Sequence, residues 1–199
     1  CNFECYKCGG SGAAYLWWKD ALPEADASTF EPFIEELLND APRDKNGALC
    51  HPKDAPSEKI WIDVVFAVTP FLLYCGLKLE RDDLIHQAWE ETRLLIEALF
   101  VPETGLVNQA INYRGPGHRT DDHWSRGNGW AMHGLAALIE VCDLVVSIPN
   151  VTVHLAGALA KETWVLLPYV ANFWWLIERT DSIWYPSSTL YRQPKLDDW

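Results

Sequence analysis

The stretch His123-Trp124-Ser125-Arg126-Gly127-Asn128-Gly129-Trp130 crowds two indoles, a guanidinium, an amide and two glycines into roughly two helical turns. Indole faces pack on the apolar faces of a pyranose. A guanidinium takes an anionic group through a two-pronged charged hydrogen bond, and Gly127 and Gly129 let backbone come close or adopt positive φ. The set suits a sugar ring bearing a carboxylate, and it equally fits a helix start with buried aromatics. Asn128 likewise has two readings, a ligand contact or a backbone bond at the turn.

Outward from this stretch the dominant period is helical. Residues 14 to 21 form an apolar, tryptophan-bearing segment, and Ser28 or Thr29 is placed to cap a helix over residues 30 to 39. Residues 40 to 58 hold prolines, a glycine and alternating charges, which predicts a surface loop carrying Cys50-His51-Pro52. Residues 60 to 77 read as one buried helix. Asp82 or Asp83 then starts an amphipathic helix to Phe100, with Leu84, Ile85, Ala88, Trp89, Thr92, Leu95 and Ile96 as its buried stripe. A Gly/Pro/Asn-rich loop over 102 to 122 leads back to the tryptophan-rich stretch, and residues 129 to 141 are again helical.

After about Val141 the pattern becomes strand (143 to 147), helix (154 to 160), strand (163 to 167), the signature of a parallel α/β unit. The fold expectation is therefore mainly α: a helical segment over 1–141 followed by a short α/β, Rossmann-like half over 142–199.

Composition narrows the function classes. With 16 basic against 28 acidic residues the net charge is -12, which speaks against nucleic acid. The longest nearly uncharged run contains Asp63 and Pro70 and is too interrupted for a membrane span. Eleven tryptophans against one methionine favour carbohydrate or aromatic contacts. Six cysteines lack a disulfide-scaffold spacing, so a reducing, cytoplasmic setting is expected. Cys5 and Cys8 have the spacing of half a zinc site, but only Cys1, Cys50 or His51 could complete it, and a frayed terminal turn explains them as well. No metal is expected. The polar start at Cys1 shows no leader and reads as part of something longer.

Three blocks carry a resemblance: Ile60-Trp61-Ile62-Asp63 running into Thr69-Pro70-Phe71-Leu72, then Pro102-Glu103-Thr104-Gly105-Leu106, then Trp124 to Trp130. In content, order and spacing, residues 12 to 141 resemble the unsaturated glucuronyl and rhamnogalacturonyl hydrolases of glycoside hydrolase families 88 and 105. The resemblance implies part of an (α/α)6 barrel and a reaction without cofactor. A side-chain acid protonates C4 of the C4=C5 double bond in an unsaturated uronate, water adds at C5, and the hemiketal collapses to release the neighbouring sugar. Asp63 matches the acid. Its apolar neighbours, Ile60, Ile62, Val64, Val65 and Phe66, should desolvate the carboxyl and raise its pKa, although a helix N-terminal carboxylate held by the dipole is the structural alternative.

By the same matching, Arg126 and Trp124 contact substrate, Trp61 and Trp130 wall the pocket, and His51 lies where the family often has a histidine. Where the family commonly shows a histidine and a tryptophan this chain has Val107 to Ile111, so that contact falls to Gln109 or is missing. The expected partner is an unsaturated oligosaccharide from pectin or glycosaminoglycan breakdown. An incomplete ring leaves apolar helix faces to cover, which an oligomer could do.

Residues 142 to 199 carry a second resemblance. Residues 142 to 147, 154 to 159, 164 to 168, then Trp184-Tyr185-Pro186 and Arg192-Gln193-Pro194, look like the C-terminal end of bacterial tetratricopeptide-repeat sugar transferases of the glycosyltransferase-B type. His154 falls near the donor in that scheme, and a core histidine is the competing reading. Two folds meeting near Val141 without a linker suggest a chimeric chain. The alternatives to the hydrolase are therefore a fragment of a nucleotide-sugar glycosyltransferase and an inactive helical scaffold.

Overall fold

The computed structural model describes residues 10–52 and 58–196. The Cys5/Cys8 pair lies outside them. The chain divides into two compact units, Cys1–Leu135 and Ala136–Trp199.

The first unit is helical. Helix α1 (Ser11–Trp18) and helix α5 (Asp82–Leu99) pack against the central α4 (Thr69–Leu79). Gly76 lets α5 come close, since a Cβ there would sit 3.0 Å from the Ile85 backbone nitrogen. Helix α2 (Ala27–Glu35) is capped by Asp26 rather than by Ser28 or Thr29. The Asp26 N–H donates to Thr29 Oγ1 at 3.2 Å and Ser28 Oγ donates to the Asp26 carboxylate at 2.6 Å, so both expected caps serve the true one.

Residues 60 to 77 are not one helix. They form a two-residue strand β1 (Ile60–Trp61), a short α3 (Asp63–Ala67) and then α4. Pro70 has no N–H to continue the ladder. Thr69 Oγ1 instead donates to the Val65 carbonyl at 2.7 Å across the break. The buried stripe of α5 comprises Leu84, Ala88, Glu91, Thr92, Leu95 and Leu99. Trp89, one position on from Ala88, faces outward and is 42% exposed, contrary to expectation.

The expected surface loop is also drawn inward, for Ala48, Leu49 and Cys50 are buried. Its anchor is Glu91, fully buried, which accepts the Leu49 N–H at 2.7 Å and an Arg43 Nη1 donor at 2.7 Å. Burial pushes the thiols of Cys50 and Cys75 up to about 12, which keeps both protonated and inert. The long loop folds into β2 (Phe100–Val101), β3 (Leu106–Val107) and β4 (Ala110–Ile111). Strand β2 pairs antiparallel with β3, and β4 with β1, placing Trp61 opposite Ala110. Helix α6 (Ser125–Glu140) begins within the tryptophan-rich stretch and runs across the boundary between the units.

In the second unit β5 (Val145–Ser147), β6 (Thr163–Leu167) and β7 (Ser188–Arg192) form a parallel sheet in that order, with α7 (Val151–Ala158) between the first two. Asn150 caps α7 by accepting the Thr152 N–H at 2.9 Å. Val153, Val165, Leu167, Trp175 and Leu190 make the core. The strand–helix–strand expectation holds, while β7 emerges from residues that show little regularity in sequence. Among the described residues no helix is long and apolar enough to cross a membrane.

Candidate active site

Asp63 is the first residue of α3, directly after β1. The backbone before it is fixed from both sides: β1 pairs with β4, and the Ile62 N–H donates to the Gln109 carbonyl at 3.0 Å. Ile62 is fully buried, whereas Asp63 is half-buried. Its Oδ2 is buried and has no hydrogen-bond partner among the described residues. Desolvation pushes its carboxyl above the ordinary aspartate range, and its own backbone N–H together with the charges of Arg126 and His51 offset only part of that rise.

Helix α6 brings the arginine to the acid. Gly127 packs on Ile62 so closely that a Cβ would lie 2.8 Å from Ile62 Cγ2. The residue after Arg126 thus touches the residue before Asp63. Here the glycine serves close approach and not positive φ; Gly129 has open space around it. The Arg126 guanidinium lies 4.1 Å from the Trp124 ring centroid and 5.2 Å from that of Trp130. The two indoles meet edge to face at 5.1 Å. The guanidinium is held over π faces, and Arg126 is exposed.

The remaining candidates separate by what their side chains do. Trp61 stands 6.1 Å from the His51 ring, and the His51 charge reaches Asp63, so both belong to the same neighbourhood. The Asn128 amide bonds backbone, accepting the Val107 N–H at 3.0 Å and donating to the carbonyls of Val107 at 3.0 Å and Trp124 at 3.1 Å. It ties α6 to β3 in the manner of a paired strand. Gln109 contributes its backbone, which receives the Ile62 N–H and donates to Thr120 Oγ1 at 3.1 Å.

Two wall residues escaped the sequence reading. Phe66 stacks on Trp130 at 5.6 Å and meets His133 at 5.2 Å. Tyr113 abuts Trp61. Glu91 was missed too, although a charge at a heptad position from Leu84 within an apolar stripe was a readable signal. A separate cleft of about 660 Å³, lined by Asp44, Lys45, Asn46, Glu58, Ile60 and Arg119 among others, includes neither Asp63 nor Arg126. Among the described residues no group of three or more His, Cys, Asp or Glu is arranged to hold a metal ion.

A half-buried acid thus meets an arginine cradled by indoles on a helical scaffold. The chain belongs to Glycosyl Hydrolase Family 88, whose profile matches residues 10–153, past the expected boundary at Val141. It is 27% identical over 120 residues to the unsaturated rhamnogalacturonyl hydrolase YesR of Bacillus subtilis (strain 168), a match covering 58% of this chain and 35% of the relative.

Among solved structures it is similar to a possible member of the GH105 family from Salmonella enterica subsp. enterica serovar Paratyphi A (TM-score 0.59, 24% identity, 75% of this chain and 39% of that one). It is also similar to a family 105 glycoside hydrolase of C. acetobutylicum (TM-score 0.54, 20% identity, 80% of this chain and 45% of that one). These likenesses support the mainly helical fold as part of a family 105 barrel. The chain spans 35% of the curated relative's length and 39 to 45% of these two structures.

Proposed function

We propose that this chain acts on oligosaccharides ending in an unsaturated uronate, with Asp63 as the proton donor. The observation that carries the reading is the pairing at one locus of a desolvated carboxyl, whose Oδ2 has no hydrogen-bond partner among the described residues, with a guanidinium framed by Trp124 and Trp130. Arg126 takes the substrate carboxylate, and the indoles pack against its ring. Protonated Asp63 delivers its proton to C4 of the C4=C5 double bond, and the electron deficiency at C5 is shared by the ring oxygen. Water adds at C5 and returns a proton to the Asp63 carboxylate. The C5 hemiketal then opens by breaking its bond to the ring oxygen, and the hemiacetal left at C1 releases the neighbouring sugar. Trp61 and His51 complete the wall beside the acid. Asn128 serves by holding the first turn of α6, and Gln109 by fixing the backbone before Asp63.

The transferase reading finds no support in His154. Its Nδ1 lies 3.1 Å from the Tyr185 hydroxyl and its half-buried ring stacks on Trp175 at 5.4 Å, contacts that favour a packing role. A scaffold without activity gives no use for a buried carboxyl oxygen lacking a partner, which costs stability to keep.

The test is loss of the ultraviolet absorbance of the conjugated double bond when an unsaturated uronyl disaccharide is incubated with the protein. Turnover is expected, and Asp63→Asn should lower it about a hundred- to ten-thousand-fold, the usual worth of a positioned proton donor. An unchanged rate in that variant would falsify the assignment.

A further inference from the structure

We propose that Tyr113 is the platform on which the released sugar stacks, so that this residue sets which saccharide follows the unsaturated uronate. The inference rests on the reading of Asp63 and Arg126 given above and adds the second sugar to it.

Tyr113 follows β4 and meets Trp61 edge to face, with ring centroids 5.5 Å apart and planes at 85°. It extends the row of rings formed by His51 and Trp61. The residue is 51% exposed, yet its ring is held. Lys59 Nζ lies 5.3 Å from the ring centroid. The backbone beneath is latched by Asn112, which adopts a left-handed φ of 66°. The Asn112 amide donates to the Glu58 carbonyl at 2.7 Å and its oxygen accepts the Gly117 N–H at 2.6 Å. The loop bearing Tyr113 is thereby tied to the segment bearing Lys59 without using the tyrosine itself.

A large aromatic face that is open to solvent and already fixed is what a sugar needs in order to stack at little entropic cost. Ala110, the β4 residue paired with Trp61, offers no such face. Arg126 with its two indoles suffices for one acidic ring, so a platform beyond Trp61 addresses the ring attached to it.

The experiment compares two substrates, an unsaturated uronyl disaccharide and the unsaturated uronyl methyl glycoside, which lacks the second ring. Tyr113→Ala should lower the ratio of kcat/KM for the disaccharide to that for the methyl glycoside about tenfold, through KM and not kcat. Tyr113→Trp should restore it. Equal losses on both substrates would overturn the proposal. Half-exposed Tyr113 can be truncated with little risk to folding.

Calorimetric binding of the disaccharide to Asp63→Asn, with and without Tyr113→Ala, separates the two readings. A tenfold weaker affinity on adding Tyr113→Ala, with a wild-type chain that never turns substrate over, would leave the platform standing and sink the hydrolase. Turnover with an unmoved substrate ratio would do the reverse. A chain that neither binds nor converts the disaccharide would overturn both.

Discussion

Asp63 meets two opposed demands, because the burial that suits it to donate a proton also makes its charged form costly. Its folded-state pKa is raised above the ordinary 3.8, chiefly by desolvation. The native chain therefore holds the proton to a higher pH than the unfolded chain does. Across the window from 3.8 up to the raised value, stability falls as pH rises, and it stays lower above that window. Asp63→Asn removes the charge and keeps the shape. At pH 7 the variant should melt above the wild type, and at pH values below 3.8, where the aspartate is protonated in both states, the gap should close. Thermal melts at the two pH values check this, and a variant that melts lower at pH 7 would contradict desolvation as the dominant cause. In the wild type, turnover should decline as pH climbs through the raised pKa, since only the protonated acid can donate.

The matched glycines of α6 show how an element carries the site. At Gly127 an added Cβ would meet Ile62 Cγ2 at 2.8 Å and Trp124 Cε3 at 3.1 Å. Gly127→Ala should therefore push the first turn away from Asp63, costing about 1–3 kcal/mol and weakening substrate binding. At Gly129 nothing lies within 4 Å and φ is not positive, so Gly129→Ala should stabilise by about 0.5–1 kcal/mol through helix propensity. Urea unfolding of the pair reads both signs, and a stabilising Gly127→Ala would mean that α6 does not rest on Ile62. Glu91 makes a second case. Glu91→Ala would strand the Leu49 N–H and unpair Arg43, for a loss of about 3–5 kcal/mol in the same unfolding assay, and it would free the loop that carries His51. The sequence revealed α5 and β6 because each has an unbroken local period. It concealed the division of residues 60 to 77, since β1 exists only through pairing with β4 across the fold. Asp63, Arg126, Trp124 and Trp130 were legible through motif order. The contacts of Tyr113 with Trp61 and of Phe66 with Trp130 were not, because they join distant segments, whereas Glu91 left a trace in the helical period of α5.

At the scale of the whole chain, each of the two units has buried apolar residues of its own. Val153, Val165, Leu167, Trp175 and Leu190 belong entirely to the second unit, as Leu72, Leu84 and Leu95 do to the first. Parallel strands β5 to β7 need a covered face, and on one side that cover is α7, where Gly157 admits Tyr185 so closely that a Cβ would meet its ring at 2.4 Å. Trp175 is 1% exposed at the centre of this packing. Trp175→Ala should cost about 3–5 kcal/mol, and because its cluster lies within residues 153–190, the loss should be felt where the tryptophan sits. Native-state hydrogen exchange resolves this by element. Amides of β6 and β7 should exchange faster in the variant while those of α4 and α5 keep their protection. If α4 and α5 lost protection in step, the two units would unfold as one cooperative whole, and damage in the second would reach the acid's surroundings as directly as a substitution beside it.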